Sequence, residues 1–245
     1  GEKSTLNYEE HVRVIETAAK ANAGRVPLIA GTGSNDTVYS VGLCEDAEKA
    51  GADAFLMVTP YYNKTSQRGL IAHYNYIADR VNKPIILYNV PSRTGVAIKP
   101  ETYKELAKHP NIVATKEANG DLSAVAKTRY LCGDELDIYS GNDDQAVPIM
   151  SLGGIGVISV LSNFLPDVMH KMCTDYLSGN TKSAADMQIK YTGLMNALFS
   201  DVNPIPVKAA MDILGLGAGP CRLPLYPMEE KALENLKLKL KECGL

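Results

Sequence analysis

Two apolar runs of the sequence each end in a side chain that can do acid–base or nucleophilic chemistry. The first runs from Ile112 to Lys116 and is followed by the turn signal Asn119-Gly120. Alternate side chains of a strand share a face, so we expect Ile112, Ala114 and Lys116 to point the same way. An amine among apolar side chains loses hydration, which lowers its pKa and leaves it able to form a Schiff base with a carbonyl carbon. A strand-end lysine with its amine in water is the plainer interpretation.

The second run, Pro84 to Tyr88, ends in a tyrosine and is soon followed by Arg93. One helical segment, near Pro100 to Lys108, separates the two runs, as in a βαβ unit whose parallel strands end on the same side. Tyr88, Arg93 and Lys116 are therefore predicted to lie close together. They could serve as a proton carrier, a clamp for a carboxylate and a nucleophile. A half-buried tyrosine and a solvated arginine are the alternatives.

The elements that must position these groups alternate between strand and helix. Apolar runs predict strands at 26–32, 54–59, 84–88, 112–116, 136–140 and 156–160, and helical spacing predicts helices near 36–50, 67–81, 100–108, 122–131, 143–152 and 166–178. This alternation predicts an α/β fold with a parallel sheet, and a (β/α)₈ TIM barrel is its natural closure. From Thr181 onward the pattern is helical only, near 181–199, 206–214 and 227–243. We therefore expect a barrel over residues 1–179 and a C-terminal helical region over 180–245.

The strand count is short of a complete barrel. Six βα units are visible, and a helix near Asn7 to Ala23 precedes the first of them, so the barrel is expected to lack its first two strands. A doubly wound open sheet is the alternative, and Gly31-Thr32-Gly33 faintly resembles a dinucleotide-binding loop. The third glycine of that motif is missing. The simpler interpretation is a βα turn in which Asn35 or Asp36 caps the next helix.

The composition excludes several classes of protein. The chain has 245 residues, 45% hydrophobic and 22% charged, with a net charge of −3, which is ordinary for a globular protein and gives no sign of nucleic-acid binding. No apolar stretch is long enough to span a bilayer, and the first residues lack the apolar core of a signal peptide, so a cytoplasmic location is expected. The five cysteines are scattered and form no metal-binding pattern with the four histidines. We expect them to be reduced and to have packing roles.

Seven motifs, in order along the chain, resemble those of the dihydrodipicolinate synthase family. They are Gly1-Glu2, Ala30-Gly31-Thr32-Gly33, 58–64 (VTPYYNK), 88–95 (YNVPSRTG), Lys116-Glu117-Ala118, Ser140-Gly141-Asn142-Asp143 and 203–208 (NPIPVK). The resemblance covers essentially the whole chain. The wider group of pyruvate-dependent aldolases, including N-acetylneuraminate lyase, shares the Tyr-Asn-x-Pro motif, the Schiff-base lysine and the Gly-Glu segment. Arg93 and the Tyr61-Tyr62 pair favour the synthase.

The resemblance implies a reaction and assigns catalytic roles. Lys116 would condense with the ketone of pyruvate, and the enamine would attack the aldehyde of L-aspartate 4-semialdehyde to give 4-hydroxytetrahydrodipicolinate, in lysine and diaminopimelate biosynthesis. Tyr88 would relay protons, together with a threonine and with Tyr62, which would cross from a neighbouring subunit of a homo-oligomer, a dimer or homotetramer. Arg93 would hold the carboxylate of the semialdehyde.

The resemblance also implies a pyruvate pocket and no cofactor. Gly141 and the backbone near Ile158 would line the pocket, and neither a metal nor an organic cofactor is needed. The adjacent acids Asp143 and Asp144 could suggest a metal site. At the start of a helix, however, such acids more often complement the helix dipole.

One departure from the family concerns the front of the chain. Family members carry Gly-Thr-Thr-Gly-Glu at the end of the second strand, and this sequence begins at what resembles the final Gly-Glu, so the two threonines are absent. This agrees with the deficit of two strands. The chain is thus expected to be an N-terminally truncated piece with low activity, and the strand edges at 26–32 and 156–160 are expected to be unpaired.

A site for feedback inhibition by lysine is a further expectation from the resemblance. Ser4, His11, Asn35 and Tyr61 match polar positions used at the effector site of sensitive members. Tyr39 stands where those members carry a glutamate, and it cannot supply a full negative charge. A surface position for His11 on its helix is the equally weighted alternative.

Three classes of function remain open from the sequence. The synthase is preferred. Another Schiff-base aldolase or lyase, such as N-acetylneuraminate lyase, comes second, and an inactive scaffold is third.

Overall fold

Strands and helices alternate along most of the chain in this computed structural model, which describes residues 2–245. Gly1, the first residue of the Gly1-Glu2 motif, lies outside the described residues. The strands are β1 (Ile29–Gly31), β2 (Ala54–Val58), β3 (Ile85–Asn89), β4 (Ile112–Glu117), β5 (Asp137–Ser140) and β6 (Gly156–Val157). The helices are α1 (Tyr8–Asn22), α2 (Thr37–Lys49), α3 (Gln67–Ala78), α4 (Pro91–Thr94), α5 (Pro100–Leu106), α6 (Leu122–Cys132), α7 (Ala146–Ser151), α8 (Pro166–Leu177), α9 (Thr181–Ala197), α10 (Ile205–Ile213) and α11 (Glu230–Glu242).

The six strands form one sheet in the order β1-β2-β3-β4-β5-β6. The pairs β1–β2, β2–β3 and β3–β4 are parallel. Because the carboxyl ends of parallel strands meet at one edge of the sheet, the loops after β2, β3 and β4 share that edge. The α/β class with a parallel sheet, predicted from the sequence, is therefore confirmed.

Local signals in the sequence set where the helices begin. Asp36, Ser66 and Asp121 precede α2, α3 and α6, and the side chain of each accepts a hydrogen bond from a backbone N–H in the first turn. The interpretation of Gly31-Thr32-Gly33 as a βα turn with a capping acid is confirmed. A Cβ atom at Gly33 would lie only 2.8 Å from the backbone carbon atoms of Met57. The close approach of strand β2 therefore requires a glycine at this position.

A bulge in β4 changes which side chains share a face. Ile85 pairs with Ile112, but the next residue, Ile86, pairs with Ala114, so β4 contains one extra residue, Val113. Paired residues of neighbouring strands point to the same face. Ile112 therefore lies with Ile85 in the core between sheet and helices, and the expectation that Ile112 shares a face with Lys116 is wrong.

Several predicted elements have different limits in the structure. The first and last strands are shorter than predicted, since β1 spans Ile29–Gly31 and β6 spans Gly156–Val157. In place of one helix over 143–152, a 3₁₀ turn at Asp143–Gln145 precedes α7. The short helix α4 was not predicted from the sequence. It begins at Pro91 and ends before Gly95, whose φ of 73° suits a glycine.

The chain divides into two compact units. The larger comprises residues 8–139 and 151–154, and the other comprises the residues up to Asn7 with 140–150 and 155–245. The core of the larger unit is a cluster of apolar side chains between strands and helices, among them Phe55, Met57, Tyr74, Leu87 and Leu106. The smaller unit has its own core, which includes Leu161, Met172, Leu194 and Leu236. The predicted division at residue 180 stays a prediction.

Candidate active site at the ends of strands β3 and β4

The centre of the candidate site is a pair of side chains, Tyr88 near the end of β3 and Lys116 near the end of β4. They are direct partners in the β3–β4 register. The Lys116 Nζ atom lies 4.3 Å from the centroid of the Tyr88 ring. Both side chains are half-buried. The predicted proximity of these two groups is confirmed, and it places an amine beside a phenol at the carboxyl edge of the sheet.

Burial raises the pKa of the Tyr88 phenol, and the positive charge of Arg93 lowers it in part. The phenol therefore keeps its proton at neutral pH and can donate it. Arg93 lies on α4, the short helix that directly follows β3, and its side chain is exposed. The structure thus brings the guanidinium within electrostatic range of the Tyr88 phenol, and α4 is the element that positions it.

Tyr62 lies in the loop after β2, at the same edge of the sheet as the ends of β3 and β4. Its side chain is 90% exposed. Its φ is 72°, in the left-handed region that residues other than glycine rarely adopt. A strained backbone that presents an aromatic ring to solvent is unusual, because such strain costs about 1–3 kcal/mol and persists only where the surroundings hold it.

A buried carboxyl, for which the sequence predicted no role, lies directly behind Lys116. Glu117 is 3% exposed, and its carboxylate accepts hydrogen bonds from Asn89 Nδ2 at 3.0 and 3.1 Å. It also accepts from the Tyr103 hydroxyl at 2.9 Å and from the Asn119 N–H at 3.0 Å. Burial raises the pKa of Glu117 to about 7, although these hydrogen bonds act to lower it. The sequence feature that could have pointed to Glu117 is its position in the motifs, since Asn89 and Glu117 directly follow Tyr88 and Lys116.

Gly141 and Ile158, the predicted pyruvate-binding residues, belong to the smaller unit. The Ile158 N–H donates to the Ser140 carbonyl oxygen at 2.9 Å. The buried Asp143 Oδ2 atom accepts from the N–H groups of Val160 and Leu161, at 3.0 and 2.8 Å. The Asp143 carboxylate therefore orders the segment that follows β6.

The candidate effector residues are distributed over both units. In the larger unit, Asn35 Nδ2 donates to the Tyr61 carbonyl oxygen at 3.1 Å, so these two are brought together. His11 is buried on α1, which contradicts a surface position for it. Ser4, exposed in a 3₁₀ turn, belongs to the smaller unit. Tyr39 packs edge-on against Tyr8, with 5.5 Å between the ring centroids.

Three further observations concern possible metal ligands, cysteines and helix lengths among the described residues. Across residues 2–245, no group of three or more histidine, cysteine or acidic side chains is arranged to hold a metal ion. The five cysteines are free thiols, of which Cys44 and Cys132 are buried. Among the helices of this part of the chain, none is both long and apolar enough to cross a bilayer.

Comparison with known proteins agrees with this arrangement. The model of the dihydrodipicolinate synthetase family matches residues 1–243. The 4-hydroxy-tetrahydrodipicolinate synthase of Thermoanaerobacter sp. (strain X514) is 53% identical over 246 residues, which cover 100% of this chain and 83% of that enzyme.

Two solved structures are similar over the same extent. One is the chloride-inhibited dihydrodipicolinate synthase from Acinetobacter baumannii complexed with pyruvate, at 43% identity and a TM-score of 0.97, covering 100% of this chain and 84% of that one. The other is the enzyme from Cyanidioschyzon merolae with lysine bound, at 39% identity and a TM-score of 0.96, with the same coverage. The chain therefore belongs to the dihydrodipicolinate synthetase family.

Proposed function

We propose that the protein condenses pyruvate with L-aspartate 4-semialdehyde to give 4-hydroxytetrahydrodipicolinate, through an imine on Lys116. The observation that carries the proposal is the half-buried Lys116 amine, 4.3 Å from the centroid of the Tyr88 ring, in a chain 53% identical to an enzyme named for this product. The similar structure complexed with pyruvate supports the choice of the first substrate.

The proposed reaction begins at the pyruvate ketone. The Lys116 amine adds to the ketone carbon, and loss of one water gives the imine. Loss of a methyl proton from the imine gives an enamine, whose carbon attacks the aldehyde of the semialdehyde. The amino group of the semialdehyde then displaces Lys116 from the imine carbon, which closes the ring and frees the enzyme. One water leaves for each product formed.

Tyr88 supplies protons in this scheme. Its phenol keeps its proton at neutral pH because burial raises its pKa, so it can protonate the hydroxyl group that leaves as water. The Tyr88 oxygen can then take the proton back during ring closure. The direct pairing of Tyr88 with Lys116 in the sheet supports this role.

The reaction itself is tested by mass spectrometry of the product. The purified protein is incubated with both substrates, and a product with the combined mass less one water is expected. Cleavage of N-acetylneuraminate instead would favour the lyase. Failure with both substrate sets would leave the inactive scaffold as the surviving alternative.

Arg93 is proposed to hold the carboxylate of the semialdehyde, because its planar fork suits a carboxylate. We expect Arg93→Ala to raise the KM for the semialdehyde by roughly 10- to 100-fold, the scale of one lost charge-assisted hydrogen bond, and to change the KM for pyruvate little. Steady-state kinetics with each substrate varied in turn measure both values. Arg80→Ala is the matched control, since Arg80 stacks on Tyr76, 3.5 Å from the ring centroid, at the end of α3. Equal losses for both substrates would reject this role for Arg93.

Tyr62 is proposed to complete the site of a neighbouring copy in a homo-oligomer. Its exposed ring and its strained backbone support this role, since a partner could hold the strained conformation. The test mixes Lys116→Ala protein with Tyr62→Ala protein, each inactive alone. If Tyr62 crosses between two copies, random exchange of subunits should restore roughly a quarter of the activity, because each mixed pair then has one complete site. No restoration after proven exchange would place Tyr62 in the site of its own chain.

The remaining assignments stay predictions. We propose that the six strands are six of the eight strands of a (β/α)₈ barrel, which the order of the sheet and the family membership support. Homotetramer assembly, a cytoplasmic location, the pyruvate pocket at Gly141 and Ile158, and the effector site at Ser4, His11, Asn35 and Tyr61 are also proposed. The relative solved with lysine bound supports testing the last of these.

A further inference from the structure

The carboxylate of Glu117 links β3 to β4 on the face of the sheet opposite the candidate site. Glu117 follows Lys116, so its side chain points to the other face of β4. Its register partner is Asn89, whose Nδ2 atom donates to both carboxylate oxygens, at 3.0 and 3.1 Å. The Ala118 N–H donates to the Asn89 carbonyl oxygen at 2.9 Å, one step further along the strands. We call Asn89 and Glu117 the strand clamp.

The strand clamp lies at the carboxyl end of the β3–β4 pair. The other end carries the bulge at Val113. In a bulged pair of strands, a different residue can take the unpaired position, and the register of the residues between the two positions then shifts by one. A slip of one residue would move every side chain of β4 beyond the bulge to the opposite face. Lys116 would then point toward the helices, and Glu117 would point to the face of Tyr88.

Burial of Glu117 without a cation suggests a role other than stability. All its partners are hydrogen-bond donors, and none of the ion pairs in the described part of the chain includes it. Removing a carboxylate from water is unfavourable even when it is well hydrogen-bonded, and an apolar side chain of similar size is often as stable there. Such groups are retained in some proteins because they specify one arrangement over another.

Groups outside the two strands also contact the clamp, and one of them, the Ile98 N–H, orients the Asn89 amide. Asn89 Oδ1 accepts from the Ile98 N–H at 3.0 Å, which orients the amide so that its NH₂ group faces Glu117. The Tyr103 hydroxyl donates to Glu117 from α5 and itself accepts from Thr115 Oγ1 at 3.0 Å. Each donor to the carboxylate therefore has a set direction.

We propose that Glu117 is a positioning residue for the reaction at Lys116: its hydrogen bonds to Asn89 hold β3 and β4 in the register that places the lysine amine beside Tyr88. The inference rests on the proposed function, in which Lys116 forms an imine with pyruvate. Glu117 touches no substrate in this scheme and acts through the backbone of β4.

The test is the rate of imine formation with pyruvate, measured by borohydride trapping at short times. In Glu117→Gln an NH₂ group replaces one oxygen, so Asn89 Nδ2 loses one of its two acceptors and the clamp loosens. We expect imine formation to slow by roughly 10- to 100-fold, the scale of a misplacement of about 1 Å. Tyr103→Phe is the matched control, because it removes one hydrogen bond to the same carboxylate but leaves the link to Asn89, and its rate should stay close to that of the unchanged protein.

Two further variants keep the test decisive. Asn89→Ala removes the link between the strands, together with the hydrogen bond from the Ile98 N–H, and should slow imine formation as Glu117→Gln does, even if the latter folds poorly. The double variant Asn89→Asp with Glu117→Gln exchanges the amide and the carboxylate across the strands, and it should recover most of the lost rate.

The outcomes separate the two proposals. If the unchanged protein forms no imine at Lys116, the proposed function is wrong and this inference falls with it. If the imine forms, but all single variants slow it only in proportion to their loss of Tm, Glu117 has a purely structural role. A double variant no faster than Glu117→Gln would also overturn the inference.

Discussion

Replacing Lys116 by alanine should abolish covalent capture of pyruvate and reduce turnover by on the order of 10⁴- to 10⁶-fold, the scale seen when an enzyme loses its nucleophile. The physical reason is that the imine acts as the electron sink for the carbanion at the pyruvate methyl group. No other amine is paired with Tyr88 in the β3–β4 register. Borohydride reduction in the presence of pyruvate, followed by digestion and mass spectrometry, should add mass to the one peptide that contains Lys116.

Lys127→Ala is the matched control for this experiment. Lys127 lies on α6, and its side chain is 55% exposed and paired with Glu101. This variant should keep both capture and turnover. Labelling of a peptide without Lys116, or capture that survives Lys116→Ala, would refute the mechanism.

The second large effect concerns the dependence of stability on pH, to which two buried groups contribute in opposite directions. Burial raises the pKa of Glu117 from 4.5 to about 7, so folding favours its protonated form. Its contribution to the free energy of unfolding is full below pH 4.5 and falls by about 3 kcal/mol as the pH rises through 7. The groups that face it are Asn89, Asn119, Tyr103 and, through Tyr103, Thr115, and none of them carries a charge at these pH values.

His73 acts the other way. Burial lowers the pKa of this histidine from 6.5 to about 4, and the negative charge of Asp36 opposes that shift only in part. Its ring packs on Tyr74, and its Nδ1 atom lies 2.9 Å from Thr37 Oγ1. Folding favours the neutral ring, so this contribution is full above pH 6.5 and falls by about 3 kcal/mol as the pH drops through 4.

The two contributions should largely cancel in the unchanged protein between pH 4.5 and 6.5. Glu117→Gln should remove one of them and leave a stability that rises with pH across this window. His73→Asn should leave the reverse slope. Urea unfolding at several pH values measures these slopes independently of any overall loss of stability in either variant. Parallel curves for the three proteins would show that these groups do not titrate as their burial implies.

The parts of the fold that the sequence predicted well are those set by local signals. The alternation of apolar runs with amphipathic segments was enough for the parallel sheet, and Asp36, one of the two residues expected to cap a helix, caps α2 through its own hydrogen bond. The pairing of Tyr88 with Lys116 followed from parallel strand ends. These inferences needed only neighbouring residues and the general geometry of a βαβ unit.

What the sequence did not predict depends on contacts between distant residues. The bulge at Val113 is a property of the pair β3–β4, so the alternation of β4 taken alone put Ile112 on the wrong face. The roles of Asn89 and Glu117 were missed for a similar reason. Both residue types are ordinary at the end of a strand, and only their hydrogen bonds with Ile98 and Tyr103 distinguish them. Helix α4 was missed because four residues are too few for a periodic pattern.

The extra residue in β4 also bears on how sequences of this family are compared and edited. If Val113 took a regular place in the pairing instead of bulging, Tyr88 would lie opposite Thr115, and Lys116 would lie opposite Asn89. A gap of one position at Val113 in an alignment is thus compatible with the same faces for the residues that follow it, whereas a one-residue shift of those residues against β3 would exchange the two faces of the strand. Insertions and deletions in the surface loops lack this consequence, since loops tolerate changes in length far better than paired strands do. A single-codon deletion at Val113 would remove the bulge and leave Tyr88 opposite Lys116, so the candidate site would keep its pairing.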